Sequence, residues 1–587
     1  MRVDVGSLAE LKEAGYLTAK AGSQPVCVFW HEECAYGVDD RCPHLGFPLH
    51  RGTVESGMVT CHWHHARFDL ESGGTLDPFA DDVRAYPVEI EGDRVVLVAD
   101  PRPPDRAHLF RRLEEGLEQG LSLVIAKSVL ALVEASVPSA EIVRAAAGFG
   151  CRYRGEGFGP GLTVLAAMAN LQPHLDPGDR ALALVQGLSF LSGDTRGRTP
   201  RFPLEPLQAT TLPAERLVAW YRRFVETRSG DAAERTIASA VRCGFTLPEL
   251  GAALGAAATD HVFIDEGHII DFTNKALELV ELLGADSAAL VLPTLAHETA
   301  RATRHEEESA WRHPHDLARL AADAAGRLPE ALRRCGWDGG EPAGDGPAGF
   351  ETANGPSKLA WDLLGDDPGA IVEAIFAAIE QGASGEQLAR AVAYAAALRI
   401  TRFHVQNDHG DWDVVHHGFT SANALHQMIL RSPSPLLLRG VVQGALKVFL
   451  DRFLNVPAAR LPKAATADLA DLAGCFDREG MVDEAGAVVY GFLHAGGSRA
   501  DAIRALGTAL LREDAGFHWF QTYEAAVRQA TAWPEGSEES ALVLAGCARF
   551  LAAHTPTRRE LAQVVRIATR LRRGEALYED EEMAGTG

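Results

Sequence analysis

"CPHLGFPLHRGTVESGMVTCHWHHARFD" occupies residues 42–69 and sets Cys42, His44, Cys61 and His64 in a segment too short to fold alone. One residue separates Cys42 from His44, sixteen separate the two pairs, and two separate Cys61 from His64. Two thiolates and two imidazoles can hold a tetrahedral zinc, so a zinc ribbon is one reading of this stretch. The flanks read as strands. "VCVFW", "AYGVDD" and "MVTC" are short apolar or alternating runs, and "VRAYPVEIEGDRVVLVA" carries a tight "EGDR" turn. "GFPL" follows the first pair and "WHHARFDLESGG" the second, as in two loops folded over one centre. His62 and His65 read as surface neighbours.

The spacing Cys-x-His then Cys-x-x-His resembles that of Rieske proteins. The resemblance implies a [2Fe–2S] cluster with Cys42 and Cys61 on one iron and His44 and His64 on the other. Neutral imidazoles in place of two thiolates raise the potential of such clusters to roughly −150 to +300 mV. The two extra loop cysteines of cytochrome-complex Rieske proteins are missing, so the resemblance is to the ferredoxin and oxygenase type. It covers residues 1–100, and the stiff, polar "PRPPDR" at 101–106 reads as a linker.

Bulk composition bounds the rest. With 587 residues the chain is long enough for two to four domains, and 47% apolar with 23% charged residues is an ordinary globular balance. A formal charge of −24 argues against nucleic acid as a partner. No long uncharged apolar run argues for a membrane span. "MRVDVGSLAE" lacks a signal-peptide core, and nine scattered cysteines suit a reducing compartment, so a cytoplasmic location is expected.

From residue 107 to 587 the texture becomes Ala-, Leu- and Arg-rich with 3.6-residue periodicity, as in "TRRELAQVVRIATRL", and predicts an all-helical domain broken by a Gly/Pro-rich loop at 336–358. The expected fold is thus a small all-β domain followed by a large all-α domain, with signs of repetition. "VPSAEIVRAAAGF" (137–149), "FTLPELGAALGAA" (245–257), "ASGEQLARAVAYA" (383–395) and "GSRADAIRALGTA" (497–509) each begin with small polar residues and continue as helix.

The repeats align histidines. "HVFIDEGH" (261–268) and "HGDWDVVH" (409–416) are both His-x-x-x-Asp-x-x-His, and positions i, i+4 and i+7 share one helix face. His261, Asp265 and His268, and likewise His409, Asp413 and His416, are therefore candidate metal ligands. His268 and His416 lie eight residues before Ala276 and Ala424, and His518 lies eight before Ala526; the first unit has Gly159 at that place. His297 is a further candidate. Histidine and carboxylate clusters in helical bundles are how non-heme iron sites are built. Such runs also arise as solvated faces in a chain with twenty-two histidines.

Ring-hydroxylating Rieske oxygenases carry acids ahead of a His pair; His404 and His409 have the spacing but follow Ile400 and Thr401. Segments such as "HIIDFTNKALELVELL" and "HHGFTSANALHQMIL" make the helical region similar to the questin oxidase-like family. That similarity implies a mononuclear iron held by several histidines, with a modified lysine as a further ligand, and a polycyclic aromatic or polyketide substrate; Lys447 is the candidate for that lysine, and its other reading is an ordinary lysine snorkelling at a helix edge. The combined expectation is a Rieske-dependent oxygenase with a [2Fe–2S] cluster and a mononuclear non-heme iron. It takes electrons from a reductase or ferredoxin, with O₂ and a small organic substrate. Homo-oligomerisation and the catalytic residues stay open. The alternative is an electron-transfer or redox-sensing protein whose helical part is a binding scaffold.

Overall fold

Alternating residues in the first hundred positions build three small antiparallel sheets. One has the order β2 (Tyr16–Ala21), β3 (Gln24–His31), β4 (Cys34–Asp39), β8 (Ala85–Tyr86). A second runs β5 (Thr53–Glu55), β6 (Met58–Thr60), β7 (Arg67–Asp69), and the third β1 (Arg2–Ser7), β10 (Arg94–Val98), β9 (Val88–Glu91). "VCVFW" is a continuous apolar run because β3 is buried on both faces. Cys27 and Phe29 pack with Cys42, Cys61 and Phe68, whereas Val26 and Val28 pack with Val95 and Leu97. The predicted turn lies between paired Glu91 and Arg94, with Gly92 at φ +65°. A helix not expected from the alternation, Leu8–Ala14, is set by a capping box between Ser7 and Glu10.

The computed structural model describes residues 1–99, 105–155, 157–208, 211–338, 341–342, 350, 355–463, 468–575 and 577. The linker expected at 101–106 lies mostly outside these residues; at its end Asp105 caps helix Arg106–Gln119 by accepting from the Ala107 N–H. Most of the loop expected at 336–358 also lies outside them, although helix Gly355–Asp362 already begins within it. No helix among the described residues is long and apolar enough to cross a membrane.

The chain forms a small N-terminal β region followed by a large helical region, and its contacts divide it into two units. One comprises Met1–Ile142 with Glu560–Gly587, the other Val143–Arg559. The division falls later than the change of texture at residue 107. Helices Arg106–Gln119 and Ser122–Glu134 stay with the strands, and Arg112 donates to the carbonyls of Pro78 and Ala80 at 3.1 and 3.0 Å.

In the helical unit the small polar starts of three of the repeated segments are N-caps. Thr246 and Ser384 form capping boxes, and Ser498 accepts from the Asp501 N–H. The helices that carry the eight-residue register, Pro160–Leu171, His268–Leu283, His409–Arg431 and Phe517–Thr531, pack each against the next and the last against the first. Their interior is polar. Fully buried Lys275 donates to Glu278 at 2.8 Å and Glu524 at 2.7 Å, and Asn170 donates to Glu278 at 2.7 Å. A buried cation persists only with such partners.

"HVFIDEGH" is not helical, contrary to expectation. Phe263, Asp265, Glu266 and Gly267 all have positive φ, the Asp265 N–H donates to the Thr303 carbonyl at 2.9 Å, and the helix starts only at His268. "HGDWDVVH" is helical as expected, with Asp408 as its N-cap.

Candidate functional site

Two loops of the first unit present the four residues singled out at the start. Cys42 and His44 follow β4, and Cys61 and His64 lie between β6 and β7. The loops are closed in the same way. The Cys42 N–H donates to Phe47 O at 2.8 Å and the Gly46 N–H to Cys42 O at 2.7 Å; the Cys61 N–H donates to Ala66 O at 2.8 Å and the His65 N–H to Cys61 O at 3.0 Å. Each loop needs a left-handed residue at its fifth position, met by Gly46 (φ +81°) and His65 (φ +61°).

Backbone N–H groups of His44 and Leu45 are directed at the Cys42 sulfur, and those of Trp63 and His64 at the Cys61 sulfur. Both sulfurs are buried and hydrogen-bonded to each other. That bond pushes the Cys42 thiol up and brings the Cys61 thiol down to about 6. Burial, with His64 and Lys127 nearby, lowers His44 to about 4. A thiolate and a neutral imidazole are the forms that bind metal. The His44 and His64 rings stand edge to face, 4.7 Å between centroids, and His44 Nδ1 is buried without a hydrogen-bond partner among the described residues. Two buried sulfurs, two converging imidazoles and an orphaned nitrogen fit a bound iron–sulfur cluster.

The second unit gathers histidines at one end of the four packed helices. One ring nitrogen from each of His268, His417 and His518 lies within 4.8 Å of the others, and Asp413, His416 and His518 form a second such group. His417 Nε2 and His518 Nε2 are 3.3 Å apart. Their other nitrogens face carboxylates: His417 Nδ1 lies 3.0 Å from Glu266, His518 Nδ1 3.6 Å from Asp413, and His268 Nδ1 3.7 Å from Asp265. Among the described residues, His268 Nε2 and both nitrogens of fully buried His416 have no hydrogen-bond partner.

Burial drives His416 well below its ordinary value and His417 to about 4, so both rings are neutral near pH 7. The hydrogen bond from His417 holds Glu266 down at about 2. Burial works against the Asp413 carboxylate, yet His518 and His554 hold it below the usual range.

The Rieske [2Fe–2S] domain model matches residues 1–87. Residues 1–87 are a Rieske [2Fe–2S] domain. Among similar proteins, the ferredoxin component of the naphthalene 1,2-dioxygenase/salicylate 5-hydroxylase systems of Ralstonia sp is 29% identical over 96 residues, 16% of this chain and 92% of that protein. The ferredoxin component of the alkene monooxygenase system of Xanthobacter autotrophicus is 28% identical over 104 residues, 18% of this chain and 85% of its own length. The ferredoxin of carbazole 1,9a-dioxygenase from Nocardioides aromaticivorans, a solved structure, is 25% identical and covers 17% of this chain and 99% of that one, with a TM-score of 0.16. The ferredoxin-component relatives support the Rieske domain, and none of them supports the expected similarity of the helical region to the questin oxidase-like family.

Beyond the Rieske domain, the predicted metal residues divide. His268 and His518 meet, and His416 and Asp413 lie beside them. Asp265 reaches the group only through His268. His297 is elsewhere, with Asp231 at 3.0 Å and Glu234 at 3.3 Å. His261 pairs with Glu306 at 2.8 Å, its turn having carried it away from His268. His409 is exposed on the first turn of its helix. Lys447 donates to the Val414 carbonyl at 3.1 Å and pairs with Asp451. His417 and Glu266 were missed. The doubled histidine of "HHGF" was the available signal, but the eight-residue register selects His416.

Proposed function

We propose that this chain is a Rieske-dependent oxidoreductase in which electrons delivered to the Rieske domain by a reductase or ferredoxin reach a non-heme iron in the helical unit and drive O₂-dependent oxidation of an organic substrate. The reading is carried by one observation: His268, His417 and His518 converge, each with a carboxylate at its Nδ1, beside an orphaned His416. Cys42, Cys61, His44 and His64 would hold the cluster; His268, His417 and His518 would hold the iron, with His416 as the nearest further donor. Iron there would supply open coordination positions for stepwise reduction of dioxygen.

The chain's own residues do the rest. Glu266, accepting from His417 Nδ1, fixes the tautomer that leaves Nε2 free, and Asp413 and Asp265 are placed to do so for His518 and His268. His268 lies against Phe272 and Phe517, with ring centroids 5.7 and 5.8 Å away, and these apolar walls limit water at the histidines. A polycyclic aromatic or polyketide substrate is the class suggested by the questin oxidase-like similarity. Donor-dependent O₂ consumption that requires both His44 and His417 tests the reading. Similarity to ferredoxin components favours a second reading, an electron-transfer protein without its own active site. In that case His417→Ala would leave electron transfer to an acceptor untouched and no iron would be found beyond the cluster.

A further inference from the structure

Helix Ser122–Glu134 is apolar on nearly every face, yet Lys127 lies in its interior and is 7% exposed. Its ammonium donates to two backbone carbonyls of the first cluster loop, Pro43 O and, at 3.3 Å, His44 O. These are the carbonyl ends of two peptide groups whose other ends are the His44 and Leu45 N–H groups. Both of those N–H groups are directed at the Cys42 sulfur. Lys127 and Cys42 thus hold opposite ends of the same two amides. Asp81 stands 3.3 Å from the ammonium and 3.2 Å from the Arg112 guanidinium.

A hydrogen bond to a carbonyl polarises its amide and strengthens the bond made by the N–H at the other end. A cation does so more strongly than a neutral donor. N–H bonds and positive charge near the sulfurs favour the reduced cluster, which carries one more negative charge, and so raise its potential. We propose that Lys127 raises the reduction potential of the Rieske cluster by polarising the two peptide groups that donate to Cys42, with Asp81 as the opposing charge. The inference concerns the Rieske domain and its appended helices and does not depend on an iron in the helical unit.

The test is a spectroelectrochemical titration of full-length, cluster-loaded protein, with iron, sulfide and electron paramagnetic resonance measured on each sample. Lys127→Met should lower the potential so that the reduced-to-oxidised ratio at a fixed solution potential falls about tenfold, ~59 mV for a one-electron couple. Lys127→Arg should stay close to the parent protein. Asp81→Asn should move the potential upward, a direction that general loosening of the loop would not produce. An unchanged potential in fully loaded Lys127→Met overturns the proposal, as does Lys127→Arg falling as far as the Met variant. Should Lys127→Met fail to hold a cluster, Asp81→Asn decides: a rise supports the proposal, and no change or a fall overturns it.

Discussion

His417 Nε2 and His518 Nε2 lie 3.3 Å apart although the two residues are 101 positions apart in the chain. In the proposed reading these two nitrogens and one from His268, all within 4.8 Å of one another, share a metal ion. Single changes His268→Ala, His417→Ala and His518→Ala are each expected to remove the metal that is not part of the cluster, with the cluster's visible spectrum intact. His409→Ala, at an exposed position, is expected to keep that metal. Metal analysis after desalting separates the two outcomes.

The carboxylates behind the ring nitrogens predict a graded effect. Glu266→Gln and Asp413→Asn should weaken metal binding roughly 10–100-fold without abolishing it. Competition with a chelator of known affinity measures this. Complete loss in Glu266→Gln would make that carboxylate a direct ligand, and no loss would make it irrelevant.

What the sequence revealed follows from how far apart the parts of each site lie. Cys42, His44, Cys61 and His64 are brought together by two short loops of one segment, so spacing alone exposes them. The histidines of the helical unit come from three helices, and only the eight-residue register links them. That register picked out His268, His416 and His518, but it passed over His417, one residue and about a quarter turn from His416. Helical periodicity also misread "HVFIDEGH". Gly267 and three left-handed neighbours make a turn there, carrying His261 to Glu306 and turning Glu266 toward His417. Lys127 was hidden for another reason: nothing in an apolar helix tells which loop its one cation meets.

A pH dependence follows from Asp271. Burial raises its carboxyl to about 7, and Oδ2 has no hydrogen-bond partner among the described residues; unfolded, it titrates at ~3.9. Between these values the native chain keeps a proton that the unfolded chain has lost. The stability this group contributes is therefore complete below about pH 4 and is lost as the pH rises through about 7. Asp271→Asn should stabilise the metal-free helical unit little at pH 4 and by at most about 4 kcal/mol at pH 8. Thermal unfolding at the two pH values checks this; an equal gain at both would contradict it.

His64 is exposed and His44 half-buried, so the second imidazole is open to exchange. His64→Cys should lower the cluster potential, because a thiolate donates more charge than an imidazole. Redox titration of the loaded variant measures the shift, and an unchanged or raised potential would count against His64 as a ligand.

Iron and acid-labile sulfide analysis of anaerobically purified full-length protein decides whether one chain holds two metal centres of different kinds. About three iron and two sulfide per chain are expected, two of the irons belonging to the cluster. Two iron and two sulfide, with His268, His417 and His518 all intact, would contradict the second centre.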